Sequence, residues 1–260
     1  MMVYVYWLTG LSLVFLAIER LRPRHQQAVL RDGIWTDAFY LIFNGHWLGV
    51  GLSKLANPLV EALDHSLDSA GLLELAYLAV ASGLPAWAQF LVALFVIDLA
   101  QWCIHNLLHR VPILWEFHKV HHSIQTMDWA GSMRFHWVEV VFYKSLSYPL
   151  LALLGFDATV LFALAVVGTA IGHFNHANLS VSIGPLKYLF NSPQMHIWHH
   201  VHGEHGPINR NFGINLSLWD WLFGTAYLPD ELPKRLGFEG IEGFPATVPR
   251  QLLYPVVRGR

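Results

Sequence analysis

The sequence predicts an all-α integral membrane protein with about four to five transmembrane helices and a cytosolic histidine-rich helical cap. Apolar residues make up 54% of the 260 residues and charged residues only 13%, against about 25% charged residues in a typical soluble domain. We therefore expect lipid to cover much of the surface. The third observation is the histidine distribution: five lie between His105 and His122, and seven between His173 and His205.

Composition also excludes several classes of protein. The formal net charge is -2 and no basic stripe is present, so nucleic acid is not an expected partner. A single cysteine, Cys103, excludes an internal disulfide and a thiolate-rich metal site. The length fits one domain, 1–260, which we divide into N-terminal spans (1–85), a catalytic core (86–227) and a C-terminal cap or tail (228–260).

Five apolar stretches approach the roughly 20 residues that a helical membrane span needs. They are 3–19, 36–56, 72–103, 137–154 and 157–174. Gly83-Leu84-Pro85 interrupts the third stretch, so we expect a partial helix over 72–83 and a full span over 86–104. Gly155-Phe156-Asp157 separates the last two stretches and predicts a helical hairpin.

The distribution of basic residues predicts the orientation of these spans. Arg20, Arg22 and Arg24 follow the first span, which places its N-terminus outside. The connection 57–71 is acidic and suits the outer side. Counting spans from there puts 105–136, 175–260 and the C-terminus in the cytoplasm of a multi-pass membrane protein.

Three histidine clusters have spacings typical of one face of a helix. His105 and His109 form an i, i+4 pair at the end of the third stretch. His118-x-x-His121-His122 follows Pro112, and His196-x-x-His199-His200 follows Asn191-Ser192-Pro193, which predicts a cap and a first-turn proline. The spacing i, i+3, i+4 is expected to put all three rings of each cluster on one helix face.

So many imidazoles on one side of a membrane predict bound metal. Each ring nitrogen left unsatisfied in the interior costs about 1–3 kcal/mol, and coordination removes that cost. One tetrahedral ion takes four ligands, so the clusters, with His173 and His176 nearby, favour two ions. Imidazole alone does not choose between zinc, copper, iron and nickel.

The same clusters carry a resemblance to a known family. The run from Asp98 through His105, His109 and His118 to Ser123 is similar to the fatty acid hydroxylase / sterol desaturase superfamily. So are His176-Ala-Asn178, His196-Ile-Trp-His-His200, Asn211-Phe-Gly213 and Trp219-Asp-Trp-Leu-Phe-Gly-Thr225. The likeness begins near residue 15, where Glu19-Arg-Leu-Arg-Pro23 also fits, and ends near residue 227.

The resemblance implies a non-haem di-iron centre that uses O2 to hydroxylate or desaturate a lipid: a fatty acyl chain, a sterol, or a related isoprenoid or ether lipid. By position the implied ligands are His105, His109, His118, His121, His122, His176, His196, His199 and His200, with His173 a weaker candidate. Zinc is a possible replacement for iron in purified protein. The electrons are expected from a separate reductase, ferredoxin, cytochrome or reduced pterin, because the chain has no Gly-x-Gly-x-x-Gly fingerprint and one cysteine.

Two other classes of protein stay open at this point. A zinc-dependent membrane hydrolase or transferase would use the same ligands without consuming O2. A metal transporter or haem-binding membrane subunit would place its ligands at mid-membrane along a path, whereas these histidines lie at the ends of the predicted spans.

Several polar residues outside the ligand set are candidates for supporting roles. Asp98, within an apolar span, is expected either to orient a ligand ring or to help helix packing. Arg134 and Glu139 are expected to pair with each other or to hydrogen-bond ligand rings. Asn211 and Asp220 are expected to fix turns of the cap. His202 and His205 are expected to be either hydrogen-bond donors that support the ligands or exposed loop residues, and the second reading is favoured.

Overall fold

A computed structural model of the chain describes residues 2–257. These residues form eleven α-helices joined by short 3-10 and π turns, and contain isolated β-bridges but no β-strand. The helices are α1 (Met2–Leu21), α2 (Ile34–Ile42), α3 (Leu48–Ser69), α4 (Leu73–Ala76), α5 (Ala86–Arg110), α6 (Pro112–His122), α7 (Trp137–Leu153), α8 (Ala158–His176), α9 (Pro193–His199), α10 (Leu218–Leu222) and α11 (Val248–Leu253). The predicted all-α class is confirmed.

Three of the described helices are long and apolar enough to cross a membrane. They are Val3–Leu21 in α1, Ala86–Arg110 in α5 and Ala158–His176 in α8. Within the most apolar 18 residues of each helix, only 17%, 39% and 28% are buried by protein. Large side chains such as Trp7, Leu13 and Trp87 are exposed. Exposed apolar surface of this extent is what lipid covers in a membrane protein.

The second predicted span differs most from its expectation. A π turn over Phe43–Trp47 joins α2 to α3, so helical structure continues to Ser69 with Pro58 inside it. The predicted outer connection 57–71 is therefore mostly helix. The prediction gave weight to its acidic residues, but Leu59, Leu63 and Leu67 recur every four residues, the spacing of one helix face, and leucine is a strong helix former.

The third stretch breaks at the predicted place. Pro85 is the N-cap of α5, and α4 is a single turn, so the expected partial helix over 72–83 is much shorter. The segment after α4 instead packs on the turn between α7 and α8: Leu78 N donates to Leu153 O at 2.9 Å. Gly155 in that turn has φ +76°, and a Cβ there would lie 2.8 Å from the Ala79 Cα. Glycine is required on both counts.

Helices α5 and α8 form the centre of the molecule. Helix α8 packs against α1 and α5, and α5 packs against α7. Their contacts build a core from Ala93, Leu94 and Ile97 of α5, Leu151 of α7, Val160 and Leu164 of α8, and Leu216. Leu216 belongs to the segment 203–227, which we call the cap from here on.

The C-terminal ends of the three candidate spans lie together. Arg24, just after α1, donates its backbone N–H to Asn178 O, just after α8, at 2.8 Å. The last turns of α5 and α8 carry histidines that meet those of α6 and α9. The structure thus brings both histidine windows to one side of the helical core.

Candidate metal centre

Nine histidines form two adjoining groups. The five-histidine group is His105, His109, His118, His122 and His199; the four-histidine group is His121, His176, His196 and His200. Within each group, one nitrogen per residue lies within 4.8 Å of all the others. Metal–imidazole bonds are about 2.0–2.1 Å long, so ligand atoms on opposite sides of one ion lie about 4.2 Å apart. Each group therefore has the size to surround one ion.

The i, i+3, i+4 spacing divides each cluster between the two groups. His118 and His122 of α6 enter the five-histidine group, whereas His121 enters the four-histidine group. In α9 the assignment is reversed: His196 and His200 belong to the four-histidine group and His199 to the other. The expectation that all three rings share one face is corrected, because successive residues of an α-helix point about 100° apart.

Local sequence places these helices. Pro112 occupies the first turn of α6, where its missing N–H has no intrahelical acceptor. The Ser192 side chain caps α9 by accepting from Met195 N at 3.3 Å, and Pro193 occupies the first turn. Both predicted helix starts are confirmed, and they fix the phase of the histidines that follow.

Backbone carbonyl groups fix the tautomer of four rings. Each Nδ1 donates to a carbonyl oxygen: His105 to Phe212 at 2.8 Å, His121 to Arg134 at 3.2 Å, His176 to Gly172 at 3.0 Å and His199 to Arg210 at 2.8 Å. A carbonyl only accepts, so each Nδ1 carries the hydrogen and each Nε2 is a bare lone pair when the ring is neutral. His118 Nδ1 lies 2.9 Å from Glu139 Oε1.

The Nε2 atoms converge inside the groups. His105 and His118 approach to 3.1 Å, His122 and His199 to 3.1 Å, and His176 and His196 to 3.2 Å. Burial lowers the pKa values of the α6 and α9 histidines well below the ordinary value, which keeps their rings neutral near neutral pH. A cation would be stabilised between the facing Nε2 atoms of His105 and His118, whose Nδ1 atoms are both engaged. The nine residues therefore fit bound metal.

The two groups touch each other and are enclosed by aromatic rings. The rings of His122 and His200, one from each group, stack with centroids 4.5 Å apart. Phe135 stacks on His121 at 4.4 Å, and Trp115 lies 5.1 Å from His122. This enclosure accounts for the burial of the histidines and limits access of water to the centre.

Three other histidines of the two windows lie outside both groups. His173 is outside both groups, because its ring is engaged by two serines: Nε2 lies 3.3 Å from Ser12 Oγ and Nδ1 2.7 Å from Ser132 Oγ. The structure does not bring His173 together with the other candidate ligands. His205 is exposed as expected, but His202 is buried and caps a short turn by accepting from Glu204 N at 3.4 Å.

Asp98 and Asp220 both accept hydrogen bonds that hold the cap. Asp98 accepts from Asn215 N at 2.8 Å, Leu216 N at 3.1 Å and Trp219 Nε1 at 3.0 Å, so it serves packing and contacts no ligand ring. Asp220 accepts from Gly213 N at 2.7 Å. Three more hydrogen bonds hold the cap. Asp220 also accepts from Trp102 Nε1, and Asn211 Nδ2 donates to Met195 O and Tyr227 O.

Sequence reasoning missed a buried ion-pair network. Arg31 bridges Asp128, at 2.5 Å, and Asp37, at 2.6 Å, and Arg134 binds Asp37 at 2.5 Å. Arg134 thus pairs with Asp37 rather than with Glu139, while its carbonyl receives the His121 hydrogen bond. Asp37 stands inside a stretch predicted to be a span, and an acid in that place is a signal that could have found the network.

Comparison with known proteins gives a family match over residues 90–225, to the fatty acid hydroxylase model. Three relatives share this region. Ornithine lipid hydroxylase OlsE of Rhizobium tropici is 34% identical over 56% of this chain and 44% of that protein. Alkylglycerol monooxygenase of Danio rerio is 32% identical over 54% of this chain and 30% of that protein. Sphinganine C4-monooxygenase 2 of Arabidopsis thaliana is 28% identical over 58% and 59%.

These matches are partial in length. The chain spans less than half the length of the first two of these relatives. No solved structure matches the chain.

Proposed function

The chain belongs to the fatty acid hydroxylase family, and from this premise we propose that it is a membrane-bound non-haem di-iron oxygenase that hydroxylates a lipid with O2 and external electrons. The observation that carries the proposal is the pair of all-histidine groups at the joined ends of helices able to cross a membrane. The relatives are named as hydroxylases and monooxygenases, which favours hydroxylation over desaturation.

The nine histidines would hold the two metals, one in each group. Nitrogen-only sites without thiolate suit iron, and zinc can occupy the same ligands in purified protein. When bound, the iron pair would supply the O2 activation that places one oxygen atom in a C–H bond, with two electrons and two protons taken up and the other oxygen leaving as water.

The chain's own residues would orient and shield this chemistry. The carbonyls of Phe212, Arg134, Gly172 and Arg210 hold four rings with Nε2 facing inward. Outer-shell partners of this kind raise ligand basicity and fix ring orientation. The aromatic enclosure around the histidines keeps water away from reacting carbons, and a lipid would approach from the bilayer along the exposed apolar helices.

The electrons would come from a separate protein or a reduced pterin. These 260 residues contain no Gly-x-Gly-x-x-Gly dinucleotide fingerprint and a single cysteine, so they offer no site for hydride from NADPH or for an iron–sulfur cluster. We place the histidine groups on the cytoplasmic side, where Arg20, Arg22 and Arg24 follow α1.

The proposal is tested with purified protein reloaded with ferrous iron, in membrane-mimicking vesicles with a chemical or protein reductant. Isotopically labelled O2 should place one labelled oxygen atom in a lipid product, detected by mass spectrometry. Protein stripped of metal should give none until iron is returned, and NADPH alone should not drive turnover.

A zinc-dependent hydrolase would give the opposite label pattern. Its product oxygen would come from labelled water, and the reaction would proceed without O2. That result with fully metal-loaded protein would contradict the proposed oxygenase.

A further inference from the structure

A cleft of about 420 Å³ is lined in part by residues that adjoin two members of the four-histidine group in sequence. Its walls come from the segment after α1, the segment after α8, and the chain around Leu236. Ala177 and Ile197, which line it, directly follow His176 and His196 in sequence. Consecutive Cα atoms are about 3.8 Å apart, so the cleft begins one residue away from two of the candidate ligands.

The charged groups lining the cleft are all basic. Arg24, Lys234 and Arg235 line it, and no carboxylate does so among the described residues. Arg235 is paired with Glu242. The Nη2 atom of Arg24, in contrast, is buried and has no hydrogen-bond partner within residues 2–257.

Burial makes the unpartnered Nη2 atom of the half-buried Arg24 side chain costly. Loss of hydration lowers the pKa of Arg24, yet an arginine stays charged in proteins. A buried charge is stabilised by an opposite charge that also fills its hydrogen-bonding positions. The arrangement is therefore suited to an anion whose oxygen accepts a hydrogen bond from Arg24 Nη2.

The backbone that carries Arg24 is held in place before any ligand binds. Arg24 N donates to Asn178 O at 2.8 Å, and the Asn178 side chain accepts from His25 N at 3.1 Å and donates to His25 O at 2.8 Å. Asn178 lies two residues after His176. The backbone of Arg24 is thus fixed relative to the chain that follows His176, which lowers the entropy lost on binding.

We propose that this cleft binds the anionic head group, a carboxylate or phosphate, of the lipid that the chain oxidises. The role of that lipid as substrate rests on the proposed function; the head-group site itself rests on the cleft. Arg24 and Asn178 each lie just beyond the end of a candidate span, which is the level of lipid head groups in a bilayer. Apolar residues of the same cleft, Met127 and Leu236, are placed to contact the first carbons of the chain.

The site is tested by equilibrium binding to the metal-loaded full chain in detergent, with dodecyl phosphate as the probe. Uncharged monolaurin and inorganic phosphate serve as comparison ligands. Arg24→Gln should weaken dodecyl phosphate binding at least about tenfold. Arg22→Gln removes the same charge from an exposed position outside the cleft and should leave binding within about twofold. Monolaurin binding should not distinguish the variants.

Three results would overturn the proposal. Equal binding of dodecyl phosphate to Arg24→Gln and the parent protein would remove Arg24 from the site. Inorganic phosphate binding as tightly as dodecyl phosphate would indicate a soluble anion. If Arg24→Gln lost binding to an acidic electron-transfer protein while its dodecyl phosphate binding stayed unchanged, the cleft would be a protein docking site.

A second measurement needs no variant, in case Arg24→Gln fails to fold. Phenylglyoxal modifies arginine side chains, and peptide mass mapping locates the product. Dodecyl phosphate should protect Arg24 and leave Arg22 reactive; equal modification with and without the probe would contradict the site. Arg24-dependent binding without any lipid oxidation would refute the proposed function alone, whereas oxidation of an anionic lipid at equal rates in both proteins would refute the head-group site alone.

Discussion

At the scale of single residues, the outer nitrogen of each histidine decides what the inner nitrogen can do. Four rings give their Nδ1 hydrogen to a backbone carbonyl, so their Nε2 atoms have only a lone pair to present. His196 and His200 differ, because their Nδ1 atoms are buried without a hydrogen-bond partner among the described residues. The four-histidine group therefore has fewer fixed rings than its neighbour.

Loss of one ligand should affect the two groups unequally. His121→Ala leaves three histidines in the four-histidine group, whereas His199→Ala leaves four in the five-histidine group. We expect both variants to lose lipid oxidation, and His121→Ala to retain about one metal per chain by elemental analysis while His199→Ala retains between one and two. His65→Ala, an exposed residue of α3, is the control and should keep the parent metal content. Full activity in His199→Ala would refute its assignment as a ligand.

Glu139 is the one carboxylate in contact with a ligand ring among the described residues. Its Oε1 lies 2.9 Å from His118 Nδ1. Glu139→Ala should lower metal affinity or turnover about 10–100-fold, the usual effect of removing such a partner. Glu139→Gln keeps an acceptor oxygen and should fall between the parent and the alanine variant. Competition with a chelator measures the affinity, with Glu61→Ala in α3 as the control; an alanine variant with parent affinity would show that Glu139 does not position His118.

At the scale of helices, the sequence predicts which histidines of α6 and α9 are neighbours, but not which of the two groups each ring enters. Spacing identifies His118, His121 and His122 as neighbours on a helix, and this part is confirmed. Which group each ring enters depends on how α6 and α9 face one another. That is set by contacts between residues far apart in sequence, such as His122 Nε2 with His199 Nε2 at 3.1 Å. The same limit explains His173, whose serine partners Ser12 and Ser132 lie far away in sequence.

Asp98 is a buried carboxylate of α5 that binds the cap. Asp98 receives four hydrogen bonds from the turn 215–219, including one from the Asn215 side chain. Each donor left unsatisfied costs about 1–3 kcal/mol, so Asp98→Ala should lower the free energy of unfolding by at least about 3 kcal/mol. In detergent this corresponds to a melting temperature lower by about 5–10 °C.

The matched control for that experiment is Asp68→Ala, because Asp68 is exposed in α3 and should change the melting temperature by less than about 2 °C. Metal content should fall in Asp98→Ala as well, since the turn that Asp98 binds directly follows the segment with Phe212, whose carbonyl oxygen accepts from His105. A parent-like melting curve for Asp98→Ala would show that the cap is held by other contacts.

At the scale of the whole molecule, the structure places two sets of loops at opposite ends of α8. The turn before α8, with the segment around Ala79 and Ser82 packed on it, lies at the N-terminal end. The histidine groups lie at the other. Nineteen helical residues extend about 28 Å, close to the roughly 30 Å thickness of a bilayer core. The arginines that follow α1 predict that the C-terminal end of α8 faces the cytoplasm.

Two serine-to-cysteine substitutions test this orientation with minimal disturbance, since cysteine differs from serine by one atom. In a Cys103→Ser background, needed because Cys103 is exposed, Ser82→Cys lies at the end predicted to be outside and Ser180→Cys four residues beyond His176. Both positions are exposed. A membrane-impermeant maleimide should label Ser82→Cys in intact cells and Ser180→Cys only after the membrane is opened. The reverse pattern would place the histidine groups outside the cell, where cytoplasmic electron donors do not reach, and would contradict the orientation on which the electron supply depends.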